Sequence, residues 1–280
     1  MTGIDADLLT DPHSDAGPLW MRDRTAIVTG GGLSGQAGGV GYATGLVLAR
    51  HGARVAVVDR DPEAAKRTVS AIEDAGGEGL VVEADLTRDE DCERAVAAVV
   101  EAFGEVDTLV NNAAVGDRAG LFDVSPRRWD ELMDLNLKTA WLMTRHVVPA
   151  MSGGAIVNVS SAAVTSPGPG SVYGVGKAGV EYFTHGAAST LGPSGIRVNC
   201  VRVGAIWTSM AARDMPPEAR EMRRKGVALQ TEGTSWDIAY AVLFLASDRA
   251  RWVSGSILDV NGGGPHRAGM PSRSAEAARS

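Results

Sequence analysis

The chain has 280 residues, 27 basic against 34 acidic, a formal net charge of −7, and 44 % hydrophobic side chains. That is enough apolar material for the core of one large α/β domain, while the acidic balance speaks against a nucleic-acid binder, which needs a basic face. Its two cysteines, Cys92 and Cys200, have no CxxC partner and no His at ligand spacing, which argues against a disulfide framework and a zinc site.

Residues 1–19 are polar and carry Asp5, Asp7, Asp11 and Asp15. They lack the basic and apolar regions of a signal peptide and read as a flexible flank. No apolar run reaches the ~18 residues of a membrane span, so the expectation is a cytoplasmic protein without membrane contact. A strand over 25–28 runs into a glycine-rich turn and a helix over 41–50. A strand over 54–58 closes on Asp59, and Pro62 opens a helix over 62–75. Next come a strand over 80–82, a helix over 88–103 with an apolar stripe, and a strand over 107–110. A long helix is predicted over 126–149, a strand over 155–159, a second long helix over 172–191 and a strand over 196–201. A helix over 235–246 and a strand over 257–260 finish the pattern, and 265–280 reads as a flexible tail. Apolar strands alternating with helices predict a doubly wound parallel sheet in one domain over 20–264.

The turn after the first strand is Gly30-Gly31-Gly32-Leu33-Ser34-Gly35, continuing to Gly38-Gly39-Val40-Gly41. Strand, glycine turn and helix form the place where a pyrophosphate meets free N–H groups. Gly30-x-Gly32-x-x-Gly35 is a literal GxGxxG but a decoy, because the helical period starts only at Gly41. An acid ending the second strand, here Asp59, takes the adenosine ribose hydroxyls in dinucleotide folds. Tyr173-Gly174-Val175-Gly176-Lys177 puts a phenol and an ammonium on one helical face, directly after the fifth strand. A phenol of pKa ~10 is a weak base near neutrality, and a cation within ~4–6 Å would lower that value.

Together with Asn111-Asn112-Ala113-Ala114 and the segment from Ile196 to Thr208, these motifs resemble the short-chain dehydrogenases/reductases over about residues 24–264. The glycine loop is five residues longer than the family's common form, and Val203 stands where the family has Pro. The resemblance implies a Rossmann-type NAD-dependent oxidoreductase that interconverts a secondary alcohol and a ketone. It implies Gly30, Gly39, Val40, Gly41, Asp59, Asp85, Leu86, Asn112, Tyr173, Lys177, Ile206 and Thr208 around the cofactor. Tyr173 would be the general acid/base, and Asn136 would hold a water that passes protons to Lys177. A serine at the end of the fifth strand would hydrogen-bond the substrate oxygen. Anchoring on the strand selects Ser161, whereas counting back from Tyr173 selects Ser160; the strand is the firmer anchor. The expected partners are a small alcohol or carbonyl compound and, through the two long helices, three further copies in a homotetramer. Gly176, Gly179, Gly186 and Ala187 are expected to let those helices approach. Residues 207–230 read as a substrate cover whose arginines either form a solvated face or grip an anion. The alternatives are a non-catalytic NAD-binding scaffold and an epimerase or lyase that uses NAD internally.

Overall fold

The computed structural model describes residues 19–35, 38–116, 121–165, 172–212 and 215–264. The expected flanks therefore lie outside the described residues, apart from Leu19. The first half runs β1 (Thr25–Thr29), α1 (Val40–Arg50), β2 (Arg54–Asp59), α2 (Pro62–Asp74), β3 (Glu78–Glu83), α3 (Asp89–Phe103) and β4 (Thr108–Asn111). The second half runs α4 (Pro126–Met133), α5 (Thr139–Val147), β5 (Gly154–Ser161), α6 (Val172–Leu191) and β6 (Ile196–Val203), then β7 (Ile206–Trp207), α7 (Ser209–Ala212), α8 (Pro217–Lys225), β8 (Gly233–Thr234), α9 (Ser235–Ala246) and β9 (Ile257–Val260).

Seven strands form one parallel sheet in the order β3-β2-β1-β4-β5-β6-β9. This is the doubly wound sheet that the buried strands predict. The chain leaves β1 toward β3, returns to β4 and proceeds the other way, so the order switches between β1 and β4. Side chains alternate across the sheet and fill two cores. Val28, Val57, Val110 and Val157 pack with Leu46, Ile72 and Trp236 on one side. Ile27, Ala56, Leu109 and Ile156 pack with Val99, Met143 and Ala187 on the other. Cys92 and Cys200 are free, fully buried thiols, and burial pushes both up to about 12.

Local signals set the helix starts. Asp61 accepts from the Glu63 and Ala64 N–H groups ahead of Pro62, and Ser125 accepts from the Arg128 N–H ahead of Pro126. Thr234 and Asp237 form a capping box on α9. The long helix expected over 126–149 is not one α-helix. It breaks at a π-helical turn, Asp134–Lys138, and ends in a 3-10 turn, Val148–Ala150. The cause is local: the Asn136 Nδ2 donates to the Leu132 carbonyl at 3.0 Å, the acceptor that α geometry reserves for the residue's own N–H. β6 runs two residues past the expected end, to Val203, which pairs with Val260. Val keeps an N–H and a free φ where Pro would have neither.

Candidate active site

The candidate residues gather along the carboxyl ends of the strands. β1 is followed by Gly30, whose φ of +58° belongs to the left-handed region and whose Cα faces Ala113 so closely that a Cβ would come within 2.8 Å of it. The chain then bows outward over α2. Gly32 N–H donates to the Asp59 carboxylate at 2.9 Å, Leu33 N–H donates to the Ala64 carbonyl at 3.0 Å, and Thr68 Oγ1 donates to the Gly31 carbonyl at 2.8 Å. It returns past α7, where Ser209 N–H donates to the Gly38 carbonyl at 3.3 Å. The extended glycine loop thus touches both the end of β2 and the expected substrate cover. Helix α1 starts at Val40, with Gly39 as its N-cap and no side chain in the capping position. A Cβ on Gly39 would meet nothing within 4 Å, whereas one on Gly41 would strike the Gly30 carbonyl and the Asn112 amide. An open, uncapped helix start beside a close-packed glycine turn suits a pyrophosphate.

Asp59 ends β2 with both carboxylate oxygens held, Oδ2 by Gly32 N–H and Oδ1 by Asp61 N–H at 3.1 Å. Asp85 follows β3, and its Oδ1 accepts from the Thr87 N–H and hydroxyl. Leu86 turns its side chain into the core. Asn112 donates both amide hydrogens to the Thr29 and Gly30 carbonyls at 3.0 and 2.9 Å, so its side chain braces the glycine turn. Ile206 is buried on the short β7, and Thr208 Oγ1 accepts from Ala211 N–H at the start of α7.

Across the switch point, β5 brings Ser161 to Tyr173 in the first turn of α6, and the two side chains share a hydrogen bond. Burial raises the Tyr173 phenol above its ordinary value, and the Ser161 bond opposes that rise. Lys177 is buried, donates from Nζ to the Val159 carbonyl at 2.7 Å, and stands 5.9 Å from the centre of the Tyr173 ring. Burial brings its ammonium down to about 8. The cation therefore lies over the ring, hydrogen-bonded to main chain, and the Tyr173 phenol stands above its ordinary value rather than below it. Asn136 is also buried. Its amide donates to the Val115 and Leu132 carbonyls, and its Oδ1 accepts from Val115 N–H, each at 3.0 Å. This pins the loop after β4 and leaves the side chain with one lone pair for a water. Gly176 lets α6 close on Asn136, and Gly179 does the same for Leu137. These two glycines serve approach within the chain, which corrects their expected use between copies; of the four small residues, Ala187 is buried and Gly186 has open space.

Ser160 points elsewhere. Its hydroxyl donates to Glu181 Oε1 at 2.7 Å, and Glu181 also receives Arg202 Nε and Nη2 at 2.8 and 2.7 Å. Sequence reasoning did not single out this group, although Glu181 lies four residues beyond Lys177. In the cover, Arg220 grips Glu232 and lies 3.8 Å above the Trp207 ring, while Arg224 and Lys225 pair with Glu221. These three cations are paired with acids within the chain, whereas Arg223 Nη1 meets the Met215 sulfur at 3.6 Å. Arg213 and Asp214 lie outside the described residues. No group of three potential metal ligands occurs among the described residues, and no helix among them is long and apolar enough to cross a membrane.

The family model described as Enoyl-(Acyl carrier protein) reductase matches residues 35–264. The chain is 38 % identical over 238 residues to Dehydrogenase/reductase SDR family member 4 of Homo sapiens, covering 82 % of this chain and 84 % of that protein. It is 35 % identical to the 3-oxoacyl-[acyl-carrier-protein] reductase of Thermotoga maritima, covering 82 % and 95 % of the two chains. It is 32 % identical to a 2,5-dichloro-2,5-cyclohexadiene-1,4-diol dehydrogenase of Sphingobium indicum, covering 86 % and 95 %. A crystal structure of a short-chain dehydrogenase/reductase from Burkholderia xenovorans superposes with a TM-score of 0.83 at 33 % identity, covering 86 % of this chain and 96 % of that one.

Proposed function

Since the chain belongs to the short-chain dehydrogenase/reductase family and is an oxidoreductase of alcohol/ketone pairs, we propose that it uses NAD and that Tyr173 is its general acid/base. The contact that carries this reading is the Ser161–Tyr173 hydrogen bond, one helical turn from the buried Lys177. When bound, the nicotinamide supplies or accepts the hydride. Tyr173 gives the proton to the developing alkoxide during reduction and takes it from the hydroxyl during oxidation. Ser161 holds the substrate oxygen against the phenol. Lys177 fixes the ribose side of the site and keeps a positive charge over the Tyr173 ring. Asn136 ties the loop after β4 to the π-helical turn, so the wall opposite Tyr173 keeps its position.

Gly30, Gly39, Val40 and Gly41 would seat the pyrophosphate, and Asp59 the adenosine ribose. Asp85 and the main chain at Leu86 would flank the adenine. Ile206 and Thr208 would face the carboxamide. The Asp59 carboxylate is held by two N–H groups and cannot easily swing away from a 2′-phosphate, which favours NAD over NADP. The relatives' names give different substrates, an oxoacyl-[acyl-carrier-protein] and a chlorinated cyclohexadiene diol, so the proposal stops at a secondary alcohol and its ketone. A homotetramer is part of the same reading. Trp141 on α5 and Val175 and Tyr182 on α6 are exposed, on the two helices expected to pair copies.

The test is a panel of alcohols with purified protein and NAD, following NADH. Tyr173→Phe should lower turnover by ~10²–10⁴-fold with the fold intact. A Tyr173→Phe rate above about a tenth of wild type would overturn the assignment.

A further inference from the structure

The end of β5 carries two adjacent serines with the same chemistry. Neighbours on a strand face opposite ways, so a slip of one residue would exchange them. Something must specify which hydroxyl meets Tyr173. Ser160 shares the face of Ile156 and Asn158, under α6, where its hydroxyl finds Glu181 Oε1 at 2.7 Å and, more weakly, the Lys177 carbonyl at 3.4 Å. Glu181 is a buried carboxylate, 8 % exposed, one turn beyond Lys177. It is fixed by two hydrogen bonds from Arg202 on β6, whose Nη1 in turn reaches Asp259 on β9 at 3.1 Å. Burial pushes the Glu181 carboxyl up, but the Arg202 and Ser160 bonds outweigh it and hold the group below the usual carboxylate range. The other charged or titratable groups around it are His185 one turn further on, Lys177 one turn back and the Cys200 thiol.

We propose that Glu181 is a positioning residue: by holding Ser160 beneath α6, with Arg202 as its anchor, it sets the end of β5 so that Ser161 alone faces Tyr173. A charged acceptor makes a hydrogen bond roughly twice as strong as a neutral one, and a buried carboxylate left without its donors is costly. The alternative arrangement, with Ser160 turned away, is thus disfavoured by the same contact that specifies the native one. The chain Ser160–Glu181–Arg202–Asp259 joins β5, α6, β6 and β9, so the helix bearing Tyr173 and Lys177 is located relative to the serine strand by one continuous network.

This inference rests on the Tyr173 reading, and its test keeps the two separate. Tyrosine labelled with 13C at Cζ gives one NMR signal for each of Tyr42, Tyr173, Tyr182 and Tyr240; Tyr173→Phe assigns the signal of interest, and Ser161→Ala calibrates its position without the serine. The double variant Glu181→Leu/Arg202→Met removes the buried pair without leaving a buried charge alone; Asp259, which also loses Arg202, is half-exposed. Its Tyr173 signal should move toward the Ser161→Ala position while the other three stay. With the alcohol found in the panel its turnover should fall about tenfold or more. If the double variant does not fold, Ser160→Ala removes the held hydroxyl and should move the signal the same way. A Tyr173 signal unmoved from wild type in the folded variant would overturn the proposal. Failure of the Tyr173 reading is a different result: turnover that survives Tyr173→Phe.

Discussion

Lys177 is held as a buried ammonium with the Val159 carbonyl as its described hydrogen-bond partner. Its value falls from 10.5 to about 8, so the unfolded chain binds this proton more tightly than the folded one. Below about 8 the folded protein bears the full penalty, on the order of 3 kcal/mol; stability regained from this group appears as pH rises from about 8 toward 10.5. Lys177→Met should therefore stabilise the protein by ~1–2 kcal/mol at pH 7, after loss of the Val159 bond, while removing turnover. Chemical denaturation of both proteins at pH 7 and pH 10 checks this, and the gap should narrow at the higher pH. Asp59 carries the second prediction at this scale. A 2′-phosphate beside its fixed carboxylate needs only ~2 kcal/mol of residual repulsion to give ~30-fold discrimination. Expected kcat/KM values favour NAD over NADP by at least about tenfold, and Asp59→Ala should narrow the ratio chiefly by weakening NAD. Arg60 is exposed and would contribute to NADP binding in that variant. Equal use of both nucleotides by the wild type would remove Asp59 from the ribose.

The π-helical turn Asp134–Lys138 is the element that most directly shapes the site, because it presents Asn136 to Val115 and lets Gly176 pack against it. Asn136→Ala would leave the Val115 N–H and carbonyl and the Leu132 carbonyl without this partner. The expected loss is about 2–4 kcal/mol, with faster hydrogen exchange at Val115; an unchanged denaturation midpoint would contradict the bracing role. This turn also marks where sequence reading stops. Strands such as β1 and β2 were legible because apolar residues fill both faces, and the Tyr–Lys pair was legible because a helix places i and i+4 together. The break in the helix over 126–149 was not, because it depends on one asparagine taking the carbonyl four residues back, and Asn in a helix has no single reading. Gly176 and Gly179 suggested close approach, but only tertiary geometry assigns the partner to Asn136 and Leu137. For the two serines of β5 the strand anchor selected Ser161 and the count from Tyr173 selected Ser160; the partner of Ser160, Glu181 on another element, was not legible. β7 and β8 are two residues each, too short to show a period.

At the scale of the whole molecule, the sheet places the two halves of the proposed site on either side of the β1/β4 switch point. Gly30, Gly41 and Asp59 stand on one side; Ser161, Tyr173 and Lys177 stand on the other. Neither half completes the site alone, so its geometry depends on the cooperative folding of the entire sheet. The exposed Trp141, Val175 and Tyr182 place apolar surface on the outside of α5 and α6, and the assembly should bury it. Light scattering should give four times the 29.1 kDa chain mass, and Tyr182→Arg should shift the population to smaller species. A wild-type protein that scatters as a single chain would reject the tetramer.

The two cysteines give this molecule an internal clock. With both thiols held near 12, only about one in 10⁴ is thiolate at pH 8, against roughly a quarter for an unfolded cysteine. Burial bars the reagent as well. A maleimide added to the native protein therefore modifies Cys92 on α3 and Cys200 on β6 only through openings of those elements. Its rate at each position measures how often α3 and α6, which cover the same face of the sheet, part from it.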